Sequence, residues 1–71
     1  MSSLGKTIAA ARYEHRLSLQ DVANAAGVTK AHVWELEKGH TDNPRVATLI
    51  GLGKALKLSP VELFKAASEP A

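Results

Sequence analysis

Apolar residues recur along this chain at the spacing of helices. Leu4, Ile8 and Ala11 share one face of a first helix predicted from about Ser3 to His15. Val22, Ala23 and Ala26 form the inner face of a second helix. Ser18 caps its start, and Asp21, three residues on, approximates a capping box. Val33 and Leu36 mark a third helix, started by Thr29 as N-cap and ended by Gly39 in a left-handed conformation. The cluster GHTDNP reads as a turn. Asn43 then caps a fourth helix with Pro44 in its first turn and Val46, Leu49, Leu52, Gly53 and Leu56 facing inward. Ser59-Pro60-Val61-Glu62 is a capping box with proline at the first helical position. It opens a short fifth helix carrying Val61, Leu63 and Phe64. No stretch alternates as a strand does. The expected fold is therefore all-α: one compact five-helix domain over 1–71, ordered over about 3–66, with a short tail ending in SEPA.

The densest information lies between Leu19 and Leu36. Two short helices meet there at a tight turn, and Ala23 stands where a close crossing leaves no room for a larger side chain. Gly27 supplies a left-handed turn, and Val28 packs into it. Gly27→Val is expected to be strongly destabilising for two reasons: the backbone conformation and crowding of the crossing. This is the spacing of a helix-turn-helix, whose second helix lies in the major groove of DNA.

Composition narrows the picture only modestly. Seventy-one residues with 45% hydrophobic content suit one domain with one core, and a single Phe, Trp and Tyr make that core aliphatic. There is no Cys, so no disulfide or thiolate metal site exists. No apolar run approaches the roughly 20 residues that span a bilayer. MSSLGKT lacks the apolar region of a signal peptide, so a cytoplasmic protein is expected, nucleoid-associated through DNA binding. A formal charge of +2 fits a nucleic-acid partner and equally an ordinary soluble surface.

The chain resembles the phage repressor/Cro, or XRE-type, family of five-helix DNA-binding domains. Arg12, LSLQDVANAAGV, VWELEKG, the Pro44 start and ALKLSPVEL carry the resemblance, in order, from about Leu4 to Phe64. It implies a lambda-repressor-like fold and a salt bridge between Arg12 and Glu37 that joins helices one and three. Three positions depart from the pattern. Leu19 stands where relatives often have a phosphate-binding glutamine. Arg16 and Lys57 replace glycines at the ends of helices one and four, so each is expected in a left-handed conformation at some cost, unless the turn differs. The loop before Pro44 also looks about one residue longer than the common form.

With Val33 and Leu36 facing inward, Thr29, Lys30, Ala31, His32, Trp34, Glu35 and Lys38 occupy the other faces of the third helix. Lys30 can donate to guanine O6/N7 or to a phosphate, Ala31 can touch a thymine methyl, and His32 can donate or accept. Glu35 can accept from cytosine N4 or simply pair, solvated, with Lys38 or another charge. Trp34 suits a groove-edge contact or packing against helix four or the loop. Backbone contacts are expected from the starts of helices two and four, where free N–H groups and dipole ends suit phosphate. Gln20, Asn43 and Arg45 are the side chains expected there, with His40 and Thr41 as weaker candidates.

No catalytic pattern, cofactor motif or metal-ligand cluster is present. His15, His32 and His40 fall on different elements, and His32 with Glu35 supplies only two ligands. No small-molecule ligand or membrane is expected. The expected function is a sequence-specific double-stranded DNA-binding regulator, a repressor or Cro-like protein that binds a palindromic operator as a homodimer. The alternative is an antitoxin or protein-interaction module on the same scaffold. The short stretch after Phe64 favours the plain DNA binder. Dimer contacts are expected from the fourth and fifth helices and the loop from His40 to Asn43. Val61 and Phe64 are candidates there, with core packing an equal or better reading for both.

Overall fold

The computed structural model describes residues 3–41 and 44–68. Five helices follow one another: α1 (Leu4–Glu14), α2 (Leu19–Ala26), α3 (Lys30–Glu37), α4 (Val46–Leu56) and α5 (Pro60–Ser68). No strand occurs among the described residues. Each helix contributes aliphatic side chains to one core, with Leu4, Ile8, Val22, Ala23, Val33, Leu36, Leu52, Leu56 and Leu63 fully buried. Burying a leucine is worth about 1.5–3 kcal/mol, so these residues decide which face of each helix turns inward. As the composition requires, the core contains no aromatic ring. Tyr13, Trp34 and Phe64 all stand at the surface.

The starts of α2 and α3 are set by local hydrogen bonds. Ser18 Oγ accepts from the Asp21 N–H at 2.9 Å, and the Asp21 carboxylate accepts from the Ser18 N–H at 2.9 Å. These bonds hold the Asp21 carboxyl below its ordinary pKa of 3.8. The stability they contribute is therefore present at neutral pH and is lost only as acid protonates that carboxylate. Thr29 Oγ1 accepts from the His32 N–H at 3.1 Å and starts α3. At α5, Ser59 Oγ accepts from the Val61 N–H, two residues on rather than three.

The first four helices end alike. A residue with positive φ follows each, namely Arg16 (56°), Gly27 (72°), Gly39 (76°) and Lys57 (57°). The next N–H then reaches back five residues: Leu17 to Arg12, Val28 to Ala23, His40 to Glu35 and Leu58 to Gly53, all within 2.9–3.0 Å. Arg16 and Lys57 thus keep the turn that glycine makes most readily.

Four expectations need correction. The fourth helix starts at Val46 with Arg45 as N-cap, so Pro44 precedes it. The expected cap Asn43 lies outside the described residues. Val46 is exposed, because α4 presents Thr48, Leu49, Leu52, Gly53 and Leu56 inward and the start of the helix overhangs the core. Val61 and Phe64 are likewise exposed, whereas Leu63 and Ala66 take the buried face of α5. Finally, a Cβ on Gly27 meets nothing within 4 Å. The crossing is not crowded at that point, and only the backbone argument remains. Gly27→Val should therefore cost about 2 kcal/mol, the penalty of a left-handed β-branched residue, rather than unfold the domain. Urea titration will check this, and complete unfolding would mean that the α2–α3 turn is tighter than it stands.

Close crossings are made elsewhere. A Cβ on Gly5 would lie 2.5 Å from the Leu36 carbonyl oxygen and 2.6 Å from that of Glu37, so α1 presses its backbone onto the end of α3. Gly51 does the same for α4 against Ala26 of α2, at 2.8 Å from its Cα.

Candidate nucleic-acid interface

Helix α3 is fixed from behind. Val33 and Leu36 are fully buried. Arg12 of α1 grips Glu37, the last residue of α3, with Nε to Oε2 at 2.6 Å and Nη2 to Oε1 at 3.0 Å. Both side chains are about nine-tenths buried, at 11% and 8% exposure. The remaining nitrogen, Nη1, donates to the Leu17 carbonyl in the α1–α2 turn at 3.1 Å. One guanidinium therefore ties three elements together, and the carboxylate raises its already high pKa further. The ion pair implied by the family resemblance is present, and its geometry is that of a brace.

The outer surface of α3 is open. Thr29, Lys30, Ala31, Glu35 and Lys38 are exposed. Thr29 and Lys30 stand at the N-terminal tip, and Glu35 lies one turn along from Ala31. His32 Nδ1 lies 4.0 Å from Glu35 Oε1, one turn away on the same helix. His32 is only partly exposed because it turns toward a recess lined also by Ala26, Gly27, Val28, Pro44, Arg45, Ala47 and Thr48. That recess brings His32 and Arg45, thirteen positions apart in sequence, to one side of the helix tip. Trp34 packs as its structural reading expects and keeps an exposed surface. It is 42% exposed, and its ring meets the His40 ring edge-on at 5.1 Å, so it packs on the loop and still offers a free face.

The two flanking helix starts differ. At α2 the Gln20 amide is bonded to the Asn24 side chain at 2.8 Å, and Leu19 packs partly into the core. The Asp21 carboxylate occupies that start and Ser18 takes the Asp21 N–H, so fewer donors are free than expected. At α4 the Arg45 N-cap makes no side-chain capping bond. The Arg45 side chain therefore leaves the first-turn N–H groups of α4 to other acceptors and is itself exposed beside them. Sequence reading missed the His32–Arg45 recess and the buried Thr48, since neither has a local pattern. Among the described residues, no group of three or more His, Asp or Glu could hold a metal ion.

A model of the helix-turn-helix domain matches residues 3–64. The HTH-type transcriptional repressor RghR of Bacillus subtilis (strain 168) is 34% identical over 58 residues. That match covers 82% of this chain and 43% of the relative, so the chain spans under half the relative's length. The N-terminal DNA-binding domain of SinR from Bacillus subtilis superposes with a TM-score of 0.79 at 30% identity, covering 86% of this chain and 88% of that one. The P22 c2 repressor, solved with a synthetic operator, gives 0.80 at 27% identity, covering 89% and 94%. The turn at Gly27, the open face of α3 and these likenesses agree: the chain belongs to the helix-turn-helix family of the phage repressor/Cro, XRE-like type.

Proposed function

We propose that this protein is a sequence-specific double-stranded DNA-binding transcriptional regulator, a repressor or Cro-like protein. The observation that carries this reading is the outer face of α3. The helix is braced from behind by Arg12 and two buried aliphatic residues, and it leaves Lys30, Ala31 and Glu35 uncovered. Such a helix enters the major groove tip first. Lys30, Ala31, His32 and Glu35 then face base edges, with Thr29, Trp34 and Lys38 at the groove margin. Arg45 and the start of α4 take phosphate, as do Gln20 and Asn43 in this reading. SinR and the P22 c2 repressor have been solved with DNA, which supports the same docking here.

We further propose that DNA is bound as a homodimer on a palindromic site, because one reading helix spans only a few base pairs. Val46, Leu49, Ile50, Pro60, Val61 and Phe64 line an open apolar groove of about 240 Å³ between α4 and α5. Its rim residues Val46, Val61 and Phe64 are 60–67% exposed, and a second copy would cover them.

Site selection from random duplexes, followed by titration at several salt concentrations, tests the reading. Lys30→Ala and Glu35→Ala should each cost about 1–3 kcal/mol on the selected site and relax preference at one base pair. Arg45→Ala should weaken all duplexes alike and lower the salt slope by about one. A change of base preference in Arg45→Ala, with both α3 variants unaffected, would move the reading head to α4. A footprint over one unpaired half-site would remove the dimer. If wild type binds a protein partner and no duplex, the antitoxin or interaction-module reading takes over.

A further inference from the structure

We propose that Arg16 is a phosphate-gripping residue that holds the DNA backbone at the end of α3 opposite to Arg45. The proposal rests on the DNA-binding reading above. Its first support is position. The α1–α2 turn is tied to the C-terminal end of α3 through Arg12, which bonds both Leu17 and Glu37. Arg45 shares its recess with His32 and the α2–α3 turn, at the N-terminal end of α3. The turn that carries Arg16 therefore lies toward the C-terminal end of α3, and Arg45 lies toward its N-terminal end.

The second support is chemistry. In a helix-turn-helix the first helix, here α2, crosses the DNA backbone. The start of α2 offers no cation of its own. It carries the Asp21 carboxylate, a glutamine already bonded to Asn24, and a leucine packed partly into the core. Negative charge at a phosphate-facing helix start weakens binding unless a cation stands beside it. Arg12 is occupied by Glu37. Arg16, two residues before the Ser18 cap, is exposed, and among the described residues no carboxylate forms an ion pair with it.

The third support is what the position gives up. Arg16 has a φ of 56°, where glycine is the easier residue. Strain kept at a surface position is a reason to look for function. Lys57 has a φ of 57° in an equivalent turn, but at the far end of α4 from Arg45, about 16 Å along the helix. It is a built-in control, because each substitution by glycine relaxes one turn and removes one positive charge.

The test compares Arg16→Gly, Lys57→Gly and Arg45→Ala with wild type. Melting temperature and duplex affinity are measured across a salt series, on the selected site and on a random duplex. Both glycine variants should melt a few °C higher than wild type. Arg16→Gly should bind both duplexes about five- to tenfold more weakly and with a salt slope shallower by about one. Lys57→Gly should stay within about twofold of wild type. Affinity and slope in Arg16→Gly equal to those of Lys57→Gly, with Arg45→Ala still impaired, overturn this proposal and leave the DNA reading standing. Altered base preference in Arg16→Gly also overturns it, since a phosphate contact carries no sequence information. If wild type binds neither duplex, the DNA reading falls first and Arg16 falls with it.

Discussion

Gly5→Ala should lower the melting temperature by about 8 °C or more. The added Cβ would sit 2.5 and 2.6 Å from the carbonyl oxygens of Leu36 and Glu37, and backbone atoms cannot swing aside as a side chain can. Relief requires α1 to move off α3, which also loosens Leu4 and Ile8 in the core. Alanine is favoured over glycine in a helix by about 1 kcal/mol, whereas overpacking of this kind costs about 3 kcal/mol or more. The steric term wins. A domain of 71 residues has roughly 4–10 kcal/mol of total stability, so the loss is a large share, and each kcal/mol is worth about 4–8 °C at this size. Thermal unfolding followed by far-ultraviolet circular dichroism measures it. An unchanged or raised melting temperature would mean that α1 and α3 stand further apart than described.

Arg12→Ala should be destabilising by about 3–5 kcal/mol, enough to leave part of the population unfolded at 37 °C. The cost is not the worth of the ion pair. It is the Glu37 carboxylate left with 8% exposure and no partner, together with a Leu17 carbonyl that loses its donor. Arg12→Lys should rescue little, because an ammonium cannot hold both carboxylate oxygens and Leu17 in one plane. Replacing both partners, as in Arg12→Met with Glu37→Met, should cost markedly less than either truncation, since no charge is then stranded. A double-mutant cycle read by urea titration checks this. Near-additive losses would show that the two side chains act separately. The loss should also reach DNA binding, because this pair holds the end of α3.

The two losses come from features of different visibility. Arg12 and Glu37 were paired through a family resemblance carried by ordered motifs, and the structure adds the third bond to Leu17 that makes the pair a brace. Gly5 carries no signal in the chain. It sits inside a helix where a glycine is merely tolerated, and what it accommodates lies more than thirty residues away.

The candidate interface divides in the same way. Its reading helix was legible because Thr29 caps locally and Val33 and Leu36 fix the inward face, which leaves Lys30, Ala31 and Glu35 outward by helical geometry. The recess shared by His32 and Arg45 was not legible, since it joins two elements across a loop. Arg16 was noticed only as a missing glycine.

The five helices, the caps at Ser18 and Thr29, the left-handed turns and the aliphatic identity of the core follow from the chain alone. Each of these is settled within a few residues, by a capping bond, a φ angle or a repeat of apolar side chains. How much of an apolar face is covered depends instead on the packing of one helix against another. Val46, Val61 and Phe64 look as inward-facing in the chain as Leu49 and Leu63 do, yet they stand exposed. Burial depends on what a neighbouring helix places opposite, and that is a long-range fact with no local pattern. Backbone contact at Gly5 and Gly51 was decided in the same way.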